Sequence, residues 1–396
     1  MLRFALVLAA LLVSPPALSA RTWHINADGT GDAPTIQAAM DSVSAGDSVL
    51  VAPGTYPGDI DLVSGVSIVG SAGSHATIID ATSTGICLDG GDPWSRSYQS
   101  PLADVLVQGL TLTGIRQTGY GNSGCCALQA VGDVELRDCR VIDNDSARSP
   151  QINFRGDLTV IGCEIARNRA GWDVPFTGGI EFNGGGTGTL RVLDSTIEDC
   201  ESPAIWVQDG GLHLADSVLR GNGHAAIELG HWLIPANLSA TIERNLFIDN
   251  HNAIVVHLDD NQGIAILHNT FVGGEYALGP FLGMDPLIHG NLFSGAERDG
   301  LILCNACTNP ELTCNNSWGN GRANWYNFAD PTGTGGNISE APQFCDFPGG
   351  VYTVSENSPC LPANNSCGIQ IGAFGKGCGP ISVTPESWAR VKARYR

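Results

Sequence analysis

From residue 126 to residue 304, short apolar stretches alternate with polar and glycine-rich ones at a steady interval. The segments "CALQAV", "QINFR", "GIEFN", "AIWVQ", "AIELG", "AIVVH", "ALGPF" and "GLILC" share one apolar position, held in turn by Leu128, Ile152, Ile180, Ile205, Ile227, Ile254, Leu278 and Leu301. Successive gaps are 24, 28, 25, 22, 27, 24 and 23 residues. A second series, running from "LRDCRVIDN" through "LADSVLRGN" to "TCNNSWGN", keeps the same period in a column of small polar residues: Cys139, Cys163, Ser195, Ser217, Asn245, Asn269, Asn291 and Asn316. Each unit holds two or three stretches of period-two alternation and no helical stripe. A strand-built repeat of this length predicts an all-β fold, a single-stranded right-handed parallel β-helix of about ten coils. Leucine-rich repeats have a similar period but need leucines at fixed spacing, whereas leucine, isoleucine and phenylalanine interchange here.

Stacking gives the polar column a physical role, because asparagine amides at a turn can bond to their copies in the coils above and below. Cys139 and Cys163 occupy this column in adjacent coils. Strands about 4.8 Å apart lie within reach of a disulfide, so the pair is expected to be bridged, with two buried thiols as the alternative. A coil stack also exposes apolar core at both ends, which must be covered. In "PTIQAAMDSVSAGD", Ile36, Ala39, Met40 and Val43 fall on one helical stripe behind a Thr35 cap, predicting a short helix over the first coil. At the other end Cys345, Cys360, Cys367 and Cys378 lie among proline, glycine and asparagine, as in a stapled closing cap. The expected organisation is a leader over 1–20, a cap and first coils over 21–80, coils over 81–320, a disulfide-stapled cap over 321–380 and a basic amphipathic tail over 381–396.

The leader expectation rests on "MLRFALVLAALLVSPPALSA", with Arg3, an apolar run from Phe4 to Val13 and small residues before a cut after Ser19 or Ala20. That run is too short to span a bilayer, so an exported chain without a membrane span is expected. The formal charge is -20, and loss of residues 1–20 removes Arg3 and no acid, leaving -21. Only Lys376 and Lys392 supplement the arginines, which argues against nucleic acid as a partner. Thirteen cysteines point to an oxidising compartment with at least one thiol left over. The run Cys304, Cys307 and Cys314 could also be read as zinc ligands, but it lacks a second close-spaced pair. A monomer is expected.

"GDAPTIQAAMDSVSAGDSVLVAPGTY" and "VSIVGSAGSHATIIDA" resemble the entry cap and first coils of secreted right-handed β-helix proteins of the pectin lyase-like group, pectinesterases included. The closing "APQFCD", "YTVSENSPC" and "IGAFG" look like the last coil of exported bacterial proteins with these repeats. The resemblance implies the fold and a polysaccharide partner, but the catalytic signatures of the group do not carry over. Only "LGHW", Leu229 to Trp232, echoes the pectinesterase Leu-Gly-Arg-Pro-Trp segment, with His231 in place of arginine. Asp259 and Asp260 follow Gly230 and His231, the reverse of the polygalacturonase order, and no lysine lies in the coils to serve as a lyase base.

Side chains facing outward from the equivalent strands read, coil by coil, Gln129 and Val131, Asn153 and Arg155, Glu181 and Asn183, Trp206 and Gln208, Glu228 and Gly230, Val255 and His257. Trp206 between two glutamates suits stacking on a sugar ring, with Asn153, Asn183, Gln208 and His257 as further substrate-binding candidates. Glu181 and Glu228 lie two rungs apart, about 9.6 Å between backbones, near the upper limit for an inverting glycosidase. Arg155 offers a second chemistry, neutralising a uronate for β-elimination, with Asp259 and Asp260 as a candidate calcium site; no other cofactor is expected. Two further readings stay open: binding of a glycan without chemistry, and a non-catalytic surface, adhesin or structural protein whose Trp206 is covered by the inserts 168–179 or 230–239.

Overall fold

Inward positions carry branched apolar side chains that escape water only against their copies in neighbouring coils, and this drives each repeat to close into a coil. The structure is a computed structural model that describes residues 19–93, 100–117, 125–146, 149–170, 178–230, 237–257, 263–279, 281–282, 286–303 and 310–378. Leu128, Ile152, Ile180, Ile205, Ile227 and Ile254 lie on successive hydrogen-bonded parallel strands, each directly above the last, and all are fully buried. Leu278 and Leu301 pair with each other in a separate small sheet. Aromatic rings stack in the same way, Phe247 on Phe271 at 4.7 Å and Phe271 on Phe293 at 5.0 Å between centroids.

One sheet has 18 strands and another 11, with the second taking a single strand from each coil. The described residues therefore form eleven coils, against the expectation of about ten. Within the long strands Leu128–Arg137 and Ile152–Ile161 the chain bends at Gly132 and Gly156, whose φ values are 129° and 123°. These glycines stack, and a Cβ on Gly156 would strike the Gly132 carbonyl, so the bend admits no larger residue.

The polar column is a continuous ladder. The backbone N–H of Cys139 donates to Cys163 Sγ (3.4 Å), that of Cys163 to Ser195 Oγ (3.1 Å) and that of Ser195 to Ser217 Oγ (3.1 Å). The series continues through the Oδ1 atoms of Asn245, Asn269, Asn291, Asn315 and Asn337. The penultimate member is thus Asn315, not Asn316. Residues just before the ladder, including Asp138, Asp194, Asp216, Arg244 and His268, take positive φ of 50° to 55° and turn each ladder side chain inward. A second ladder, unforeseen from the sequence, runs five residues further on: Asn144 N–H donates to Asn168 Oδ1, Cys200 N–H to Asn222 Oδ1 and Asn222 N–H to Asn250 Oδ1.

Cys139 and Cys163 are free thiols, which corrects the expected bridge. Sulfur serves here as a ladder atom, receiving a neighbour's N–H where other coils place an amide or hydroxyl oxygen. Among the described residues the disulfides are Cys314–Cys367 and Cys345–Cys378. The first ties the closing segment to the last coils; Cys360, expected within the stapled cap, is a buried free thiol. Cys314 is thereby removed from any zinc set, while Cys304 and Cys307 lie outside the described residues.

The entry helix is Ile36–Met40, with Thr35 Oγ1 accepting from the Ala38 N–H at 3.1 Å. Ile36, Ala39 and Met40 are buried, and Val43 packs against the core beside them. The closing segment folds back over the outer side of the 11-stranded sheet, where Phe344, Tyr352 and Phe374 pack on Leu246, Ile248 and Val272. Its backbone bonds there too, Ala373 N–H donating to Thr270 Oγ1 at 2.9 Å. Among the described residues no helix is long and apolar enough to cross a membrane. The leader expected over 1–20 falls almost wholly outside the described residues, as does the basic tail.

Candidate functional site

Parallel pairing brings residues far apart in the chain onto one outward column. Asn153 pairs with Glu181, Glu181 with Trp206, Trp206 with Glu228 and Glu228 with Val255. The two glutamates are therefore separated by two rungs with Trp206 between them, as the repeat alignment predicts. What differs is exposure. Glu181 is 2% exposed and Trp206 and Glu228 are 5% exposed, so the expectation of an open stacking face for a sugar is corrected. The Trp206 indole N–H donates to the Gly230 carbonyl at 2.9 Å, which ties the covered ring to the next coil.

A bulge shapes the next position. Asn183 pairs with Asp209 rather than Gln208, leaving Gln208 as the extra residue of its strand. The displaced side chain turns onto the neighbouring coil, where its Nε2 donates to Glu181 Oε1 at 2.7 Å. Glu181 Oε2 is buried and has no hydrogen-bond partner among the described residues. Burial pushes this carboxyl up to about 7, against a smaller downward pull from the Gln208 amide. Glu181 therefore holds a proton into the neutral range, in a place where most glutamates have lost theirs.

Glu228 is differently surrounded. His257 Nε2 lies 3.2 Å from its Oε1 and His224 Nδ1 lies 3.7 Å from its Oε2, so a proton on either imidazole faces a carboxylate oxygen. Two carboxyls in one column thus have opposite company: an amide and an unpartnered oxygen for one, two imidazoles for the other. Buried Asp209 Oδ1 also lacks a hydrogen-bond partner among the described residues.

Of the other expected residues, Asn153 is buried on the rung before Glu181. Asn183 Oδ1 accepts from the Gly185 N–H at 3.0 Å, which commits its carbonyl to a local turn. Arg155 is exposed, pairs across the sheet with Asn183 and has no carboxylate partner among the described residues. Asp259 and Asp260, the candidate calcium ligands, lie outside the described residues, as does His231. Among the described residues no cluster of three or more histidine, cysteine or acidic side chains could hold a metal ion. Sequence reasoning missed His224, brought to Glu228 by a turn, and misplaced Gln208; the Gly210-Gly211 pair directly after "VQD" was the available sign of a bulge.

Residues 64–233 match the family model described as "Right handed beta helix region". The solved structure of pectate lyase Pel9A superposes with a TM-score of 0.50 over 90% of this chain and 96% of that one, at 14% identity. The fold is a right-handed parallel β-helix of pectin lyase-like type. This β-helix is also similar to the pectin methylesterase from carrot, at 13% identity over 83% of this chain and 91% of that one, with a TM-score of 0.38. The mannuronan C-5 epimerase AlgE4 A-module from Azotobacter vinelandii aligns over 70% of the β-helix and 94% of its own length, at 13% identity and a TM-score of 0.33. Among curated proteins none matches the β-helix.

Proposed function

We propose that this protein is exported and acts on an extracellular polysaccharide, with Glu181 as general acid and Glu228 as general base on the strand face. One observation carries the reading: a buried carboxyl, with one oxygen lacking a partner among the described residues, lies two rungs from a second carboxyl, and burial pushes the first up to about 7. Glu181 would protonate the leaving glycosidic oxygen while Glu228, held beside His257 and His224, takes a proton from the water that attacks the anomeric carbon. Trp206, Asn153, Asn183 and Gln208 supply the surroundings of the ring, and Arg155 lies where it could meet an acidic group further along a chain. Export is supported by the leader pattern and the two disulfides. A local opening is needed for substrate to reach carboxyls this buried.

That burial favours a second reading, in which the column is a sealed polar cluster within a non-catalytic surface or adhesin protein. The discriminating experiment uses the disulfide-intact chain from residue 21 on a panel of soluble and insoluble glycans. New reducing ends report hydrolysis and unsaturated products report elimination through Arg155. Glu181→Gln and Glu228→Gln are expected to lower hydrolysis at least about 100-fold with glycan binding retained. Absence of turnover on every glycan would leave the sealed reading standing.

A further inference from the structure

Gln208 occupies its place only because the strand carries one residue too many. The bulge between Phe182 and Asn183 of the facing strand aims its amide at a single oxygen of Glu181. An amide nitrogen donates and cannot accept, so Oε1 must remain an acceptor whenever the bond is made. In the neutral carboxyl the proton then resides on Oε2, the buried oxygen without a hydrogen-bond partner among the described residues.

We infer that Gln208 is a positioning residue that keeps the Glu181 proton on Oε2 and thereby fits this site to an uncharged sugar, whose ring, hydroxyl or glycosidic oxygen accepts that proton. The inference rests on the carbohydrate reading above and narrows it. Charges around Glu181 agree with it. Glu228 lies two rungs away, Asp209 stands on the same strand as Gln208 with an oxygen that has no partner among the described residues, and the column begins, coils earlier, with Asp61 and Asp89. The cationic and titratable groups nearby are His257 and His224, both turned to Glu228, and Arg155, which is exposed on the strand before. A uronate bound at Oε2 would sit in a mostly acidic column whose histidines are already turned to Glu228, leaving exposed Arg155 on the strand before as its remaining cation.

The test uses the whole disulfide-bonded chain with selectively labelled glutamate and glutamine. In the unsubstituted protein the Gln208 side-chain amide signal is expected to titrate in step with the Glu181 carboxyl. In Gln208→Met the Glu181 midpoint should rise by about one unit, since the lost bond favoured the charged form. Xylohexaose or cellohexaose should bind at least tenfold more tightly than hexagalacturonate near pH 6, and Gln208→Met should erode that preference. An unmoved Glu181 midpoint, a Gln208 amide indifferent to pH, equal or tighter binding of hexagalacturonate, or no binding of any of these sugars overturns the inference. Neutral sugars bound without turnover would instead sink only the catalytic reading, and the titration is independent of both.

Discussion

Replacing Glu181 by Gln should make the protein more stable at pH 8 and leave it almost unchanged at pH 4. The side chains are nearly isosteric, and the glutamine carbonyl can still accept from Gln208. What changes is the ability to ionise. Burial raises the folded carboxyl from 4.5 to about 7. A group with a raised folded value favours the native state fully below the unfolded value, and that contribution is lost as pH climbs through the folded one. Between pH 4.5 and 7 the unfolded chain releases its proton while the native protein keeps it, and stability falls by about 1.4 kcal/mol per unit. Across that window the loss is roughly 3 kcal/mol, on the order of a third of a typical domain's total stability. Urea denaturation of both proteins at pH 4, 6 and 8 measures the difference. Hydrogen exchange of the 180–183 and 205–208 amides gives a local readout suited to a coil stack that can open in parts. Identical pH profiles for the two proteins would refute the claim that Glu181 is buried and protonated, and the proposed acid would go with it.

Two further predictions concern the frame. Cys163→Ala removes the acceptor for the Cys139 N–H and should cost about 1–3 kcal/mol, with Cys163→Ser markedly milder because a hydroxyl can take the sulfur's place. Alkylation without reductant, before and after unfolding, should find both thiols protected only in the folded protein; a Cys139–Cys163 linked peptide would contradict the ladder. Cys314→Ser opens a loop of 53 residues and should cost about 4 kcal/mol by chain entropy, read as earlier loss of the closing segment to limited proteolysis. An unchanged cleavage pattern would mean that packing on the 11-stranded sheet suffices to hold it.

The coil stack was legible because its two signals, the isoleucine column and the polar column, are set by nearest-neighbour stacking and recur with every turn. The entry helix was legible for a related reason, since Thr35 and the Ile36, Ala39, Met40 stripe are local features. The candidate site was legible only in its rungs: Glu181, Trp206 and Glu228 fall where alternation puts them, yet whether an outward side chain meets water depends on chain that alternation does not describe. Gln208 escaped because a bulge advances the register by one residue, and a period-two reading has no means of inserting that step. The Cys139 and Cys163 thiols were misread because proximity alone does not distinguish a sulfur that bonds its neighbour from one that accepts an amide. Cystine pairing at the closing end depended on Cys314, a partner 53 residues before Cys367.

Five residues separate the two ladders in the coils where both are formed, as in Cys139 and Asn144, Cys163 and Asn168, Ser217 and Asn222, or Asn245 and Asn250. Over the same stack the step from one coil to the next ranges from 22 to 32 residues. The differences in coil length therefore fall in the remainder of the circuit, which includes the strands bearing Glu181, Trp206 and Glu228. One flank works as a fixed ruler and the other as editable text. Evolution, or an engineer, can lengthen the chain beside the carboxyls to suit a new ligand without renegotiating the spine that holds them in line.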